Sequence, residues 1–444
     1  MLFTSWLVAF ASFLALTQSQ CLTGNDSPSM MNPEAFQLLT HGRFRFAVSA
    51  LAKMAEIEQN ENVFFSPYSL HEALTLAYFG ALGKTEKALQ QALFIPEHLS
   101  KVDVQRFYAL ENSLKRQPEV NESSTYELTT ATRMYVQKTK KLRECMVNLF
   151  GEELHMADFK SDPEGVRNGI NEWVQNVTKG HIKDLIPDGG ITEDSDLVLA
   201  NAIYFKAPWQ SRFDPANSKK DIFYASGSRN IFTTFMKQKA GFRHANSETL
   251  RVHILELPYS RENVSMFVML PPFAHTRATE TSGDQNQGVG QVEDGILTIA
   301  KHLTQTQQDV ENFMELLDDL SSPREVEVAI PRFTVDKEIP VDSLLQGLGA
   351  GEVMNPSTSD LRGFLQDGEQ SLHLGSAVHR ARVEVSEEGT TATAATAIFS
   401  FRSSRPIEPV VFKANHPFLY FIYDKGSRNI LFSGIFRTPP VAVS

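Results

Sequence analysis

Residues 62–70 read NVFFSPYSL, a short apolar run that leads directly into a helix start. The run over residues 63–65 has the character of a buried strand. Ser66 and Pro67 follow, and a hydroxyl side chain with a proline behind it is typical of the first turn of a helix. The apolar residues that continue from there predict a buried helix over residues 66–79.

Elements of the same kind are predicted along the rest of the chain. Helical periodicity indicates helices over residues 36–57 and 102–114. Apolar runs indicate strands at 197–205, 265–270, 327–333, 381–385 and 409–412, and a closing hairpin of 419–423 with 430–436 around a turn at 425–427. Residues 272–295 are rich in glycine, glutamine, threonine and charges, which predicts an exposed loop. No linker separates these elements, so the sequence predicts one large domain that mixes helices and strands.

The composition is that of an acidic globular protein. Of 444 residues, 42% are hydrophobic and 21% are charged, which argues against a mainly disordered chain. The formal net charge of -11 would repel a phosphate backbone, so nucleic-acid binding is not expected. Two cysteines exclude a disulfide-dense scaffold and a cysteine-rich metal cluster, and a chain of this length buries a core without such support.

The first residues of the sequence have the pattern of an export signal. Residues 2–16 form an uncharged apolar stretch, shorter than the roughly 20 residues of a membrane-spanning helix. We therefore predict a signal peptide at residues 1–19, with cleavage between residues 17 and 21, and a flexible tail at 20–34. No later stretch is apolar for long enough to span a bilayer, so a secreted, extracellular protein without a membrane anchor is expected.

Secretion changes what other residues predict. Candidate glycosylation sites are the asparagines of four Asn-X-Ser/Thr sequences, Asn25, Asn121, Asn176 and Asn263. Cys21 and Cys145 either form a disulfide in an oxidising compartment or remain two thiols. The sequence leaves both alternatives open, because pairing depends on a proximity that it does not show.

The sequence lacks the common catalytic and metal-binding patterns. His71-Glu72 lacks the second histidine of a zinc-protease helix and is expected on a helix surface. Residues 78–85 come close to a phosphate-binding loop, but Tyr78 stands where that loop needs glycine, so a turn at a helix end is predicted. The twelve histidines lack ligand spacing. We therefore expect no metal and no cofactor.

Short motifs over residues 35–439 follow one another in a specific order and spacing. They are NVFFSPYSL at 62–70 with Ala73-Leu74 and Gly80-Ala81-x-Gly83-x-Thr85, Asn171-x-Trp173-Val174, Thr178-x-Gly180-x-Ile182, NAIYFK at 201–206 with Trp209, His379–Gly389, and Phe412-x-Ala414-Asn415-His416-Pro417-Phe418 through to Gly434. Together they resemble the serpin family. The resemblance implies an α+β fold in a single serpin domain at 35–439, with three β-sheets and eight or nine helices. It also implies an exposed reactive loop at 387–408. Residues 440–444 are then predicted to be a tail that follows the domain.

The resemblance also implies a mechanism. A target serine protease attacks the loop and forms an acyl-enzyme, and the loop then inserts into the central sheet before deacylation. Insertion buries alternate side chains, and residues 390–401, TTATAATAIFSF, carry no charge and no proline on either face. The predicted hinge comprises Glu387, Glu388, Gly389, Thr390 and Ala392, in which the glycine has wide conformational freedom.

The sequence leaves two neighbouring peptide bonds as candidates for the reactive bond. In the family, the reactive residue lies about 17 residues along when the hinge glutamate, here Glu387, is counted first, and this count gives Ser403. One residue fewer gives Arg402, whose cation suits the carboxylate at the base of a trypsin-like specificity pocket. Arg402–Ser403 is therefore the predicted bond. Ser403–Ser404, which implies elastase-like targets, is the second choice.

Other roles are implied by the resemblance residue by residue. Ser66, Ser69, Asn201 and His379 match a polar cluster beneath the opening of the central sheet, and Trp209 matches the aromatic residue where the loop first enters. Asn263 matches a position that is often glycosylated. A heparin-like polysaccharide is not expected, because two acids, Asp103 and Glu111, dilute the basic residues of the corresponding helix region. A solvated face of mixed charge is predicted there instead, and its basic residues are Lys101, Arg106, Lys115 and Arg116.

The sequence thus predicts a monomeric, secreted inhibitor that is not an enzyme and that traps trypsin-like serine proteases covalently. A non-inhibitory serpin that acts as a carrier or binding protein stays open as the alternative. The loop tail and the closing motif look most like arthropod serpins, which would suggest a melanisation or Toll-type cascade of innate immunity.

Overall fold

The computed structural model describes residues 21–23, 26, 32–116, 127–225, 229–260, 263–273, 294–389 and 409–440. Within these ranges there are nine α-helices: α1 (Ala35–Ile57), α2 (Pro67–Gly80), α3 (Gly83–Ala92), α4 (Lys101–Arg116), α5 (Glu144–Phe150), α6 (Pro163–Val177), α7 (Gly295–His302), α8 (Gln307–Asp318) and α9 (Val341–Gly347). The first strands are β1 (Val63–Phe65), β2 (Glu127–Gln137), β3 (Leu154–Ala157), β4 (Leu197–Lys206), β5 (Lys219–Ala225), β6 (Arg229–Phe242), β7 (His244–Ser247) and β8 (Val252–Pro258). The others are β9 (Val264–Leu270), β10 (Arg324–Pro331), β11 (Phe333–Ile339), β12 (Ser376–Val385), β13 (Val410–Lys413), β14 (Phe418–Asp424) and β15 (Asn429–Phe436).

The strands of the described ranges form three sheets. One has six strands in the order β1-β15-β14-β9-β8-β7, and one has four in the order β13-β10-β6-β5. The third, here called the central sheet, has the order β11-β12-β4-β2-β3. The central sheet contains two parallel pairs, β12 with β4 and β2 with β3, whereas its other neighbours are antiparallel. Three sheets with helices packed around them confirm the predicted α+β fold.

Helix α2 starts where the opening motif predicted it. The Oγ atom of Ser66 accepts a hydrogen bond from the backbone N–H of Ser69, and Pro67 occupies the first turn. Every residue of α2 is buried, so this helix belongs to the core and is not an amphipathic surface helix. Its N-terminus therefore points into the interior, next to the central sheet.

The C-terminal strands lie in the middle of the core. β14 and β15 pair antiparallel, as the predicted hairpin requires, and β15 also pairs with β1 near the start of the chain. All eight residues of β15 are buried, which is typical of a strand covered on both faces. The N-terminal and C-terminal parts of the sequence thus share one sheet.

Three sequence expectations are wrong. The single strand predicted at 327–333 is two strands of different sheets, β10 and β11, which meet at Arg332. His71 and Glu72 are buried, not exposed, because α2 is covered on all sides. Lys101 is also buried, since its Nζ atom donates to the carbonyl of Ala81 and lies 3.3 Å from Glu86 Oε2.

Residues 21–23 and Asp26 of the predicted tail form hydrogen bonds with one another. Cys21 is buried, and the backbone N–H groups of Cys21, Leu22 and Thr23 all donate to the carboxylate of Asp26. These hydrogen bonds lower the pKa of Asp26, although partial burial acts in the opposite direction. Within the described ranges, no helix is both long and apolar enough to cross a membrane.

Candidate functional site

A polar cluster lies where the two parallel strands β12 and β4 meet. His379 of β12 is the register partner of Asn201 of β4, and Asn201 is in turn the partner of Thr132 of β2. The N-terminus of α2, with Ser66 and Ser69, packs against this point. The structure therefore brings together the four residues that the resemblance assigned to the cluster, and adds Thr132.

The cluster is held by a continuous set of hydrogen bonds. The Nε2 atom of His379 accepts from the backbone N–H of Ser66 at 3.0 Å, so its proton lies on Nδ1, which donates to Oδ1 of Asn201. The Nδ2 group of Asn201 donates to Oγ of Ser69 at 2.6 Å and to Oγ1 of Thr132 at 2.7 Å. Because His379 and Asn201 lie on opposite sides of the β12–β4 junction, their bond must break when these strands separate.

The histidine of the cluster is fixed in its neutral form. Burial lowers the pKa of His379 to about 3, since no water solvates an imidazolium there. Protonation would also turn Nε2 into a donor that faces the N–H donor of Ser66. The junction is therefore closed by neutral hydrogen bonds.

Trp209 lies beyond the end of β4 and not within the polar cluster. Its ring stacks on Tyr259 with centroids 4.5 Å apart, and its Nε1 group donates to the carbonyl of Ser386 at 2.9 Å. The backbone N–H of Trp209 donates to the carbonyl of Glu388 at 3.3 Å. Trp209 thus holds the segment that leaves β12 through its indole and its backbone N–H.

The described part of the hinge, up to Gly389, turns back beyond the end of β4. Gly389 forms an antiparallel bridge with Pro208 and a second bridge with Ser386, which closes a tight turn after β12. The φ angle of Gly389 is 85°, and a Cβ atom there would lie 2.4 Å from the backbone nitrogen of Trp209. Glycine is required here for both reasons, because a side chain would be strained and would also clash with backbone.

A buried carboxylate fastens the same hinge from the other side. The Oε1 atom of Glu387 accepts from Oγ of Ser218 at 2.8 Å, and Oε2 lies 3.6 Å from the guanidinium of Arg332. The backbone carbonyl of Glu387 accepts from the N–H of Phe213 at 3.0 Å. These contacts must be exchanged for new ones if the hinge moves further into the sheet.

The parallel junction is suited to receive a strand. A chain that leaves β12 through a tight turn runs antiparallel to β12, and therefore antiparallel to β4 as well. Inserting it between them replaces one parallel pair by two antiparallel pairs, whose hydrogen bonds are perpendicular to the strands and slightly more stable per residue. The arrangement can accordingly hold one additional strand.

Several predicted site residues lie outside the described residues. They are Thr390, Ala392, Arg402, Ser403 and Ser404 of the loop, together with Asn25 and Asn121. Two predicted glycosylation sites are described, and the structure places both Asn176 and Asn263 on the surface.

Cys21 and Cys145 form a disulfide, with their Cα atoms 5.9 Å apart. Of the basic residues considered for a polysaccharide, Lys101 is buried and Arg106 is half-buried. Glu111, on the same helix, pairs with the buried Arg43. The two basic side chains of α4 that the structure describes are therefore not fully exposed, and those of Lys115 and Arg116 lie outside the described side chains.

Some contacts of the site were missed from the sequence. Thr132 lies on the same face of β2 as the buried Met134. A hydroxyl on a face that is otherwise buried needs a hydrogen-bond partner, and this could have indicated that Thr132 belongs to the polar cluster. Ser218 and Arg332 gave no signal, because their partner Glu387 is far away in the sequence. Among the described residues, no group of three or more His, Cys, Asp or Glu side chains is placed to hold a metal ion.

Comparisons with known proteins agree on one family. A family model described as "Serpin (serine protease inhibitor)" matches residues 42–439. The chain is 36% identical over 406 residues to serine protease inhibitor 88Ea of Drosophila melanogaster, covering 90% of this chain and 91% of that protein. It is 30% identical over 420 residues to antithrombin-III of Homo sapiens, covering 93% of this chain and 84% of that protein. A 3.10 Å crystal structure of maspin has a TM-score of 0.75 and 26% identity, covering 91% of this chain and 100% of that chain.

Proposed function

Because the chain belongs to the serpin family, we propose that it is a secreted inhibitor that traps trypsin-like serine proteases as covalent acyl-enzymes. In this proposal the chain is a suicide substrate and not an enzyme. The protease cleaves the loop, and the loop then inserts between β12 and β4 before the acyl bond is hydrolysed. Trapping depends on insertion being faster than deacylation.

The observation that carries the proposal is the bridge between Gly389 and Pro208. This bridge is antiparallel and lies just beyond β4, at the end of the junction where insertion would start, which supports the proposal. Residues 390–401 follow directly and carry no charge and no proline, so neither face opposes burial. The geometry of the hinge and the chemistry of the loop support the same movement.

The proposed class of target rests on Arg402. An arginine side chain matches the carboxylate of a trypsin-like specificity pocket, and Ser403 behind it is small. Arg405 is less suited, because Pro406 follows it and a proline on the leaving side blocks most such proteases. Antithrombin-III, a relative whose name refers to action against thrombin, supports a protease target for this chain as well.

The proposed location is extracellular. The apolar stretch at residues 2–16 and the exposed asparagines of two glycosylation sequences support export. The disulfide between Cys21 and Cys145 supports an oxidising compartment. We place the inhibitor in an extracellular proteolytic cascade.

The test is to mix the mature protein with trypsin, run a denaturing gel and weigh the released C-terminal peptide. We expect a complex that survives denaturation and a peptide that begins at Ser403. A peptide that begins at Ser404 would keep the mechanism and move the reactive bond to Ser403–Ser404. Cleavage without a complex, by trypsin and by an elastase-like protease, would refute inhibition and favour the carrier alternative.

A further inference from the structure

Two histidines lie side by side at the outer edge of the six-stranded sheet. His244 is on β7, the last strand of that sheet, and His253 is on the neighbouring strand β8. The register pairs His244 with Leu255, so His253 is its diagonal neighbour on the same face of the sheet. The two histidines are nine positions apart on different strands, so the spacing of histidines in the sequence did not indicate this pair.

The two rings approach each other through nitrogen atoms. Nδ1 of His244 and Nε2 of His253 are 3.3 Å apart, and the ring centroids are 5.3 Å apart. A zinc ion that binds two imidazole nitrogens at about 2.0–2.1 Å with a tetrahedral angle places these nitrogens about 3.4 Å apart. The observed separation is therefore that of two ligands of one ion, and the rings need only to turn so that both lone pairs point at the same place.

Both imidazoles are in the protonation state that binds metals. Burial, followed by the neighbouring His244, lowers the pKa of His253 to about 4. Burial and the guanidinium of Arg324 lower the pKa of His244 as well. At neutral pH both rings are therefore neutral, and each has one nitrogen with a free lone pair.

The proton between the two rings can move out of the way. In the hydrogen-bonded pair, one of the two facing nitrogens holds a proton and the other accepts it. Nε2 of His244 is buried and has no hydrogen-bond partner, so no second hydrogen bond fixes the tautomer of this ring. Transfer of the proton to the outer nitrogen of its own ring frees both facing lone pairs, and no proton has to leave the protein.

The surroundings define what kind of metal site this is. Both side chains are half-buried, and the ring of His253 packs edge-on against Phe412 of β13 with centroids 4.8 Å apart. Arg324 opposes a bound cation, but its side chain is exposed and can extend into water. Within the described ranges, no third His, Cys, Asp or Glu joins the pair, so water completes the coordination of an ion held there. Such a site exchanges its ion, unlike a closed structural zinc site with four protein ligands.

We propose that His244 and His253 together bind one Zn²⁺ ion, through Nδ1 and Nε2 respectively. Imidazole nitrogens suit zinc and copper, whereas calcium and magnesium require oxygen ligands, which these two side chains do not offer. The bound ion links β7 to β8 and so holds the outermost strand of the sheet against its neighbour. This site does not depend on protease inhibition.

Binding is measured by equilibrium dialysis of the uncleaved mature protein, without a histidine tag, against ZnCl₂ and by atomic absorption of the bound zinc. We expect the tightest site to hold one ion per chain. His244→Ala and His253→Ala should each weaken this site by at least about tenfold, since even the loss of an outer-shell partner costs roughly 10–100-fold. His98→Ala, at an exposed histidine, should bind like the wild type. An affinity that neither variant of the pair changes would overturn the site.

Cu²⁺ tests whether both rings bind the same ion, because the same ligands hold copper more tightly than zinc. With one equivalent of Cu²⁺, electron spin echo envelope modulation should show two coordinated imidazoles in the wild type. One imidazole or none would overturn chelation, and this result needs no variant to fold.

The link between the strands is tested by hydrogen exchange of the β7 amides, residues 244–247. At a free Zn²⁺ concentration of about 100 times Kd, their exchange should slow by up to about 100-fold in the wild type, because opening of β7 then requires loss of the ion. The same zinc concentration should leave exchange unchanged in His253→Ala. Unchanged exchange in the wild type, or equal slowing in the variant, would overturn the link.

Discussion

The neutral state of His379 predicts a specific pH dependence of stability. The native protein holds this imidazole neutral down to a pKa of about 3, whereas the unfolded chain binds a proton below the ordinary value of 6.5. The contribution of His379 to the free energy of unfolding is therefore present above pH 6.5 and is lost progressively as the pH falls from there towards 3. Between pH 7.5 and pH 5 this single group costs the wild type about 2 kcal/mol, at 1.36 kcal/mol per unit of pKa.

The informative perturbation is His379→Gln. The glutamine stays neutral, and it can accept from the N–H of Ser66 while the donor to Asn201 is lost. At pH 7.5 the variant should be about 1 kcal/mol less stable, the ordinary cost of one hydrogen bond. Glutamine does not titrate, so acid does not destabilise the variant through this position. The unfolding free energies of the two proteins should therefore become equal near pH 6, roughly where protonation costs the wild type 1 kcal/mol.

The assay is urea unfolding followed by tryptophan fluorescence at several pH values between 7.5 and 5. His71 is also buried with its pKa lowered to about 3, but it is present in both proteins and cancels in the difference. His98→Gln, at an exposed histidine, serves as the matched control and should run parallel to the wild type. Parallel curves for His379→Gln would refute the assignment of a buried, neutral histidine at the junction.

Three further predictions concern the hinge, the loop and the disulfide. Gly389→Ala should destabilise the native protein by about 1–3 kcal/mol, because alanine is strained at this positive φ and its Cβ would clash with the backbone of Trp209. It should also raise the amount of inhibitor consumed per trapped protease. Urea unfolding measures the first effect, and denaturing gels at a series of inhibitor-to-protease ratios measure the second. Thr390→Arg should convert the inhibitor into a substrate, because insertion would bury an unpaired cation, and trapping at one inhibitor per protease would contradict the insertion mechanism. Replacing Cys21 and Cys145 by serine should lower the free energy of unfolding by about 3–5 kcal/mol, since the bridge closes a loop of 124 residues, and an unchanged urea midpoint would exclude that contribution.

The sequence predicted those features that depend on local pattern or on an ordered set of motifs. The start of α2 at Ser66 and Pro67 follows from capping chemistry, and the closing hairpin follows from two apolar runs around a turn. The assembly of Ser66 with Asn201 and His379 followed from the family resemblance alone, because these residues are far apart along the chain.

The features that were missed depend on partners distant in sequence. His71 can be buried because its Nε2 group donates a hydrogen bond to the carbonyl of Leu93. Lys101 can be buried because its ammonium donates to the carbonyl of Ala81 and pairs with Glu86. From sequence alone, a polar side chain is predicted to be exposed unless the partner that satisfies it in the interior is known. The division of residues 327–333 at Arg332 was missed for a related reason, since one apolar run serves two sheets.

The pairing of β1 with β15 has a consequence for synthesis. Asn62 accepts from the backbone N–H of Arg437 and donates to the carbonyl of Thr438, so the first strand is completed only by residues that are synthesised 375 positions later. Until those residues emerge, helices α1 and α2 lack the strand that covers them, and exposed apolar surface of this kind makes a nascent chain prone to aggregation. A premature stop that removes the C-terminal hairpin would leave a chain whose six-stranded sheet has lost two neighbouring interior strands, so we expect such a chain to be degraded.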